Sequence, residues 1–343
     1  MIRIVNWLLT RKCNLNCDYC AIVKNYHFKP KEYPDMDHYY SKEMSTNTVL
    51  NGLSDFHHHN PNCFHIFYGG EPMLRKDMAE ILSFCHRHDI HYTIISNNTV
   101  LVQPLVKKLA KQVGKIRGYT ASIDPILIDE QPRNSDRFIK SQQGFDFLLN
   151  MQEYCDDVVA EITVLRDDQH LLQKLVKYLT EHGINSDITF VDIAKSEYYD
   201  FANLSDKFSL VQKNPDLAYQ MMNLLTDDSV DIHMKDYLIP EIYKILPSNM
   251  DCEIEKSLHN VSIDADGSVR LCLRIRGVNA PENISVTDLI DTDGNINPVA
   301  NRLIIKDKQQ YCKLCNHTCH LMSKVLEEKN LDPYELVHLD RRK

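Results

Sequence analysis

Three cysteines on one short polar loop, Cys13, Cys17 and Cys20, follow directly on an apolar run from Ile2 to Leu9. The run reads as a first β-strand, so the loop stands at a strand end. Three thiolates so placed can hold three irons of a [4Fe-4S] cube and leave the fourth iron without a protein ligand. An iron with open positions can chelate a small molecule. Zinc is the competing reading, but a zinc site usually shows C-x2-C pairs closed to four ligands. The odd total of eleven cysteines also suits a disulfide framework poorly.

Composition sets the frame for this loop. With 343 residues, 43% of them hydrophobic, the chain can build one large α/β domain and a smaller one. A net charge of −9 argues against a broad nucleic-acid footprint. No apolar run approaches the roughly 20 residues that cross a bilayer. The start, Met1 to Trp7, lacks a basic region followed by an apolar core and a cleavage site. A cytoplasmic protein with reduced thiols and no membrane partner is therefore expected.

Downstream, strand and helix patterns alternate. Ser45 or Thr46 can cap a helix carrying Val49, Leu50, Leu53 and Phe56 at helical spacing. It ends in His57-His-His-Asn60, read as a solvated C-terminus whose imidazoles suit the helix dipole. Cys63 to Tyr68 is a second strand, and it runs into Gly69-Gly70-Glu71-Pro72. A helical face (Met78, Ile81, Leu82, Cys85) precedes a third strand, Ile90 to Ile95, which ends at Ser96-Asn97-Asn98. Pro104 opens the next helix, and Arg117 to Asp124 is a fourth strand ending in Ser122-Ile-Asp124. The polar stretch Asp129 to Gln143 reads as a loop and substrate lid, followed by a helix through Phe145, Leu148 and Leu149. Val158 to Leu165, with Arg166 at its end, is a fifth strand; a helix through Leu171 and Leu179 stops at Gly183, and Ile188 to Ile193 is a sixth. Such a succession implies a parallel sheet with right-handed crossovers. Ligand-binding residues then belong at the strand C-terminal ends, where the four polar motifs fall.

The cysteine spacing, the strand before it, Tyr19 just ahead of the last cysteine and the later Gly-Gly-Glu-Pro together resemble the radical S-adenosylmethionine (SAM) superfamily. The resemblance implies a partial (β/α)6, TIM-like barrel and a catalytic [4Fe-4S] cluster on Cys13, Cys17 and Cys20. It also implies SAM chelated to the open iron and cleaved by one electron to a 5′-deoxyadenosyl radical, which takes hydrogen from a substrate C–H bond. By the same resemblance Gly69, Gly70, Glu71 and Pro72 lie along the methionine amino group; Ser96 and Asn97, as polar residues at a strand end, can meet the ribose or carboxylate. Ser122 and Asp124 meet the ribose, and Arg166 the carboxylate. Ordinary turn residues at 122 and 124, and a surface ion pair at 166, are the alternatives.

A second set of cysteines lies near the C-terminus: Cys252, Cys272, Cys312, Cys315 and Cys319. Two β-rich runs around Asp266-Gly267, between Val261 and Cys272, read as a hairpin. The Gly267-x4-Cys272 spacing and the pair Cys312-x2-Cys315 resemble the SPASM and twitch extensions of the same superfamily, which hold auxiliary iron–sulfur clusters. A full SPASM domain has seven cysteines; the five here imply one auxiliary [4Fe-4S] cluster of the twitch type. Cys252, Cys272, Cys312 and Cys315 are the implied ligands, Cys319 can replace one of them, and structural zinc is the alternative. Cys63, Cys85 and Cys155 read as core thiols.

The expected organisation is a barrel over 1–200, a helical connector over 201–250 and a small α+β twitch/SPASM-like domain over 251–343. Family members so built oxidise or cross-link peptide and protein side chains, or dehydrogenate small alcohols such as aminocyclitols. Only twelve residues precede Cys13, so a leader-binding domain ahead of the barrel is not expected, and the partner is a peptide or small-molecule substrate. An external one-electron donor such as flavodoxin or ferredoxin is also implied. A non-catalytic iron–sulfur binding protein is the alternative of a different class.

Overall fold

Alternation of strand-forming and amphipathic segments yields, among the described residues, strands and helices in strict succession up to residue 190. The computed structural model describes residues 2–15, 17, 20, 22, 43–128, 136–164, 169–190, 260–270, 286 and 289. The elements run β1 (Ile4–Thr10), α1 (Thr46–His59), β2 (Phe64–Gly69), α2 (Met78–Arg87), β3 (His91–Ser96), α3 (Gln103–Val113) and β4 (Ile116–Ile123). They continue with α4 (Asp136–Leu148), β5 (Cys155–Val164), α5 (Leu172–Glu181), β6 (Asn185–Phe190), β7 (Asn260–Ile263) and β8 (Val269–Arg270).

The sheet order is β6-β5-β4-β3-β2-β1-β7-β8, and the pairs from β1 to β6 are all parallel. Each of these strands lies beside its neighbour in sequence. Right-handed crossovers that always step in one direction put their helices on one face of the sheet, the order a partial barrel requires. Along β1, Val5, Trp7 and Leu9 are fully buried and meet Leu53 and Phe56 of α1 in the same core. Trp7 stacks edge-on to Phe56 at 6.0 Å and its indole N–H donates to Nδ1 of His65 at 3.0 Å. Burial pushes His65 down to about 3, so its ring stays neutral and can accept that bond.

Local signals place the helix ends. Ser45 caps α1, its hydroxyl accepting from the Thr48 N–H at 3.1 Å, and the three histidines occupy the last turn. Pro104 sits in the first turn of α3. Gly183, at φ +68°, turns the chain out of α5. Cys63, Cys85 and Cys155 are buried free thiols. Among the described residues no helix is long and apolar enough to cross a membrane.

One expectation is corrected. The polar stretch 129–143, read as a loop, turns helical at Asp136. Lys140, Ser141, Gly144, Phe145 and Leu148 recur at helical spacing and are all buried. The physical reason is that Lys140 and Ser141 bind the end of β4: Lys140 Nζ lies 2.9 Å from Asp124 Oδ2, and the Asp124 N–H donates to Ser141 Oγ at 2.8 Å.

The hairpin around Gly267 (φ +88°) forms, with β7 and β8 antiparallel. It does not stand apart from the sheet. β7 pairs parallel with β1, from Ile4 opposite Asn260 to Trp7 opposite Ile263. The proposed connector, Arg166, and the cysteines at 252, 272, 312, 315 and 319 lie outside the described residues.

Candidate active site

The cysteine loop leaves the C-terminal end of β1 and is fixed there by the end of β2. The Gly70 N–H donates to the Thr10 carbonyl and the Glu71 N–H to the Lys12 carbonyl, each at 2.7 Å. A Cβ on Gly69 would collide with the Thr10 carbonyl oxygen, and one on Gly70 with that of Lys12. Both positions therefore admit only glycine, for backbone packing against the loop's entry. Arg75, just beyond, donates to the Leu9 carbonyl at 2.7 Å and pairs with Asp77 at 2.6 Å.

Glu71 lies fully buried beneath the loop. Its carboxylate accepts from the Met73 N–H at 3.0 Å, the Asn97 N–H at 2.8 Å, and the Ser96 hydroxyl at 3.0 and 3.1 Å. Burial pushes Glu71 up to about 7, and these hydrogen bonds oppose the shift. The same acceptors join the end of β3 to the end of β2. Asn97 then extends to the loop itself, donating to Asn14 Oδ1 at 2.8 Å and reaching Cys13 Sγ at 3.5 Å. Asn14 in turn donates to Thr99 Oγ1 at 2.7 Å.

Cys13, Cys17 and Cys20 border one cavity of about 220 Å³, together with Gly69 and Gly70, Ser96 and Asn97, and Ser122 of β4. Burial pushes the Cys13 thiol up to about 11 and that of Cys17 up to about 12, the Lys140 ammonium opposing the latter. A [4Fe-4S] cube takes its thiolates one to an iron, so three of them leave one iron over. The three-thiol donor set and the room beside it thus fit a [4Fe-4S] cluster with one iron left for a ligand.

Of the residues expected at the ligand, Ser96, Asn97 and Ser122 line this cavity. Glu71 and Pro72 lie outside its lining and serve as a buried brace and the start of a turn. Asp124 is fully buried and engaged by Lys140. The missed residues are Lys140, Glu161 and Thr163, all lining the cavity. Lys140 could have been found as a cation on the inner face of α4. Glu161 and Thr163 alternate with Ala160, Ile162 and Val164 along β5, which marks a polar face turned to the site.

A parallel α/β sheet whose strand C-terminal ends converge on a three-cysteine loop defines a class of cluster-binding proteins. The chain belongs to the Radical SAM superfamily, whose profile matches residues 7–179. Membership implies SAM and a [4Fe-4S] cluster as cofactors. The chain is 27% identical over 158 residues to Fe-coproporphyrin III synthase of Methanosarcina barkeri, covering 45% of this chain and 34% of that protein. It is 22% identical over 286 residues to GTP 3′,8-cyclase of Aquifex aeolicus, covering 79% of this chain and 82% of that protein. The match thus spans about a third of the first relative and most of the second. Among solved structures, Streptococcus suis SuiB bound to precursor peptide SuiA superposes with a TM-score of 0.56 at 14% identity, over 94% of this chain and 72% of that one. That likeness shows the fold.

Proposed function

We propose that this chain is a radical SAM enzyme in which Cys13, Cys17 and Cys20 ligate the catalytic cluster. The single observation that carries the proposal is the shared cavity, where three thiols meet the glycine backbone of Gly69 and Gly70. Cluster and SAM, when bound, would supply a 5′-deoxyadenosyl radical able to take hydrogen from an unactivated C–H bond. The chain's own residues do the holding. Gly69 and Gly70 set the loop's entry, Glu71 braces β2 against β3, and Asn97 orients the loop through Asn14 and Cys13. Ser96, Asn97 and Ser122 offer polar atoms to the ligand's sugar and amino acid portions, and we assign Arg166 the carboxylate.

We infer a substrate that is a peptide or protein side chain, oxidised or cross-linked; the fold likeness to SuiB, which was solved with a precursor peptide, supports this reading. A small alcohol is the competing substrate. We further assign one auxiliary cluster to Cys252, Cys272, Cys312, Cys315 or Cys319 in a twitch-like domain over 251–343, an external flavodoxin or ferredoxin as electron source, and a cytosolic setting. The experiment is anaerobic reconstitution, reduction with dithionite and quantification of 5′-deoxyadenosine. Wild type should form it, and the Cys13→Ala/Cys17→Ala/Cys20→Ala variant should not. Cleavage retained in that variant sinks the assignment.

A further inference from the structure

The entry to the cysteine loop is gripped from two sides, by segments far apart in the chain. On the β2 side the Thr10 and Lys12 carbonyls accept from Gly70 and Glu71. Arg11 lies between these two, so its backbone is held while its side chain turns the other way. There it meets Asp264, at the C-terminal end of β7, in an ion pair whose side chains are only 4% and 1% exposed. Asp264 is itself fixed. Its carboxylate accepts from the Ala265 N–H at 2.6 Å and its backbone bonds to Ser268 and Gly267 at 2.8 Å, closing the hairpin turn. The Ala265 carbonyl then accepts from the Met44 N–H at 2.6 Å, tying the far side of the loop to the same turn.

We propose that Asp264 is a positioning residue for the cluster loop, acting through Arg11 to fix Cys13 two residues further on. The inference rests on the reading of Cys13, Cys17 and Cys20 as cluster ligands. A buried guanidinium needs a counter-charge. Without the Asp264 carboxylate the Arg11 side chain is drawn toward water, and the chain pivots about the two held carbonyls, which turns Cys13 without lifting it off β2. The glycine contacts hold only the carbonyls on either side. They fix the height of the loop over β2, whereas the ion pair fixes its lean toward β1 and β7. Cys13 is also the thiol that Asn97 reaches, so a change of lean alters the cavity the three thiols share more than it alters the sheet. The hairpin is thereby part of the catalytic architecture. A segment about 250 residues away in sequence decides where the first cluster ligand stands.

The test uses the full chain, reconstituted anaerobically and reduced, with SAM as the probe. Addition of SAM should shift the electron paramagnetic resonance signal of the loop cluster, because only that cluster has an iron open to it, and titration of the shift yields an apparent Kd. Asp264→Asn keeps the Ala265 contact and the side-chain volume while removing the charge. Its iron content should stay near wild type, and its Kd for SAM should rise at least tenfold. Asp264→Glu should recover part of that loss. In an Arg11→Met background, where the cation is gone, Asp264→Asn should change the Kd by less than threefold. Wild-type affinity in Asp264→Asn overturns the proposal, and so does an equal loss in both backgrounds. If Asp264→Asn fails to fold, Arg11→Lys carries the test. It keeps the charge but not the guanidinium fork, so an unchanged Kd overturns the positioning role and a raised one supports it. A wild-type cluster that does not answer SAM overturns the cluster reading, and the inference with it.

Discussion

Replacing Lys140 with Met removes the cation from a buried ion pair and leaves the Asp124 carboxylate in place. Asp124 is fully buried and Lys140 is 2% exposed, with 2.9 Å between Nζ and Oδ2. Neither group can fall back on water. Truncating one partner of such a pair costs about 3–5 kcal/mol, a large part of the roughly 5–15 kcal/mol that holds a native protein together. Met fills nearly the volume of the lysine stem, so little of the loss comes from a cavity. At about 1.4 kcal/mol per factor of ten, the folded-to-unfolded ratio should fall by about two to four orders of magnitude. The assay is urea unfolding of the metal-free protein at pH 7. Trp7 is the chain's single tryptophan and is fully buried in β1, so its fluorescence follows the sheet itself. Adding Asp124→Asn to Lys140→Met removes the remaining buried charge and should recover about half of the loss or more. A loss under about 1 kcal/mol in the single variant, or no recovery in the double, would refute the claim that Asp124 depends on Lys140.

Gly70→Ala sets a methyl group against the Lys12 carbonyl and near that of Arg11, with backbone on both sides. It should lower 5′-deoxyadenosine formation at least a hundredfold with helical and sheet content intact by circular dichroism; activity within tenfold of wild type contradicts the glycine's role at the loop entry. Glu71 titrates at about 7 when folded against an ordinary 4.5. Its contribution to stability is therefore full below pH 4.5 and is lost as pH rises through 7, an interval worth up to about 3 kcal/mol. The stability of wild type relative to Glu71→Gln, read from urea midpoints of metal-free protein, should fall between pH 4.5 and 7.5; a flat difference rejects the raised value. Iron analysis after anaerobic reconstitution should give about eight irons per chain if one auxiliary [4Fe-4S] cluster joins the catalytic one. About four irons with one zinc would instead make the C-terminal cysteines a structural site.

The sequence by itself determined the succession of strands and helices, because period-2 and period-3.6 patterns with capping and turn residues are local properties. It also determined the three-thiol loop at the end of β1 and the glycines at the end of β2, since both motifs are contiguous in the chain. Tertiary structure alone decided what those motifs do to one another. The reach of Glu71 to Ser96 and Asn97, the grip of Gly70 on Lys12, and the recruitment of Lys140 to Asp124 each join residues whose neighbours in sequence carry no trace of the contact. The polar stretch before Gly144 reads as a loop throughout for that reason: a charged residue reads as solvated until a buried partner is known. The pairing of β7 with β1, and with it Asp264 with Arg11, was equally hidden. Strand pairing over such separations depends on which edge of the sheet is left open when the other strands have docked, and local sequence does not encode that.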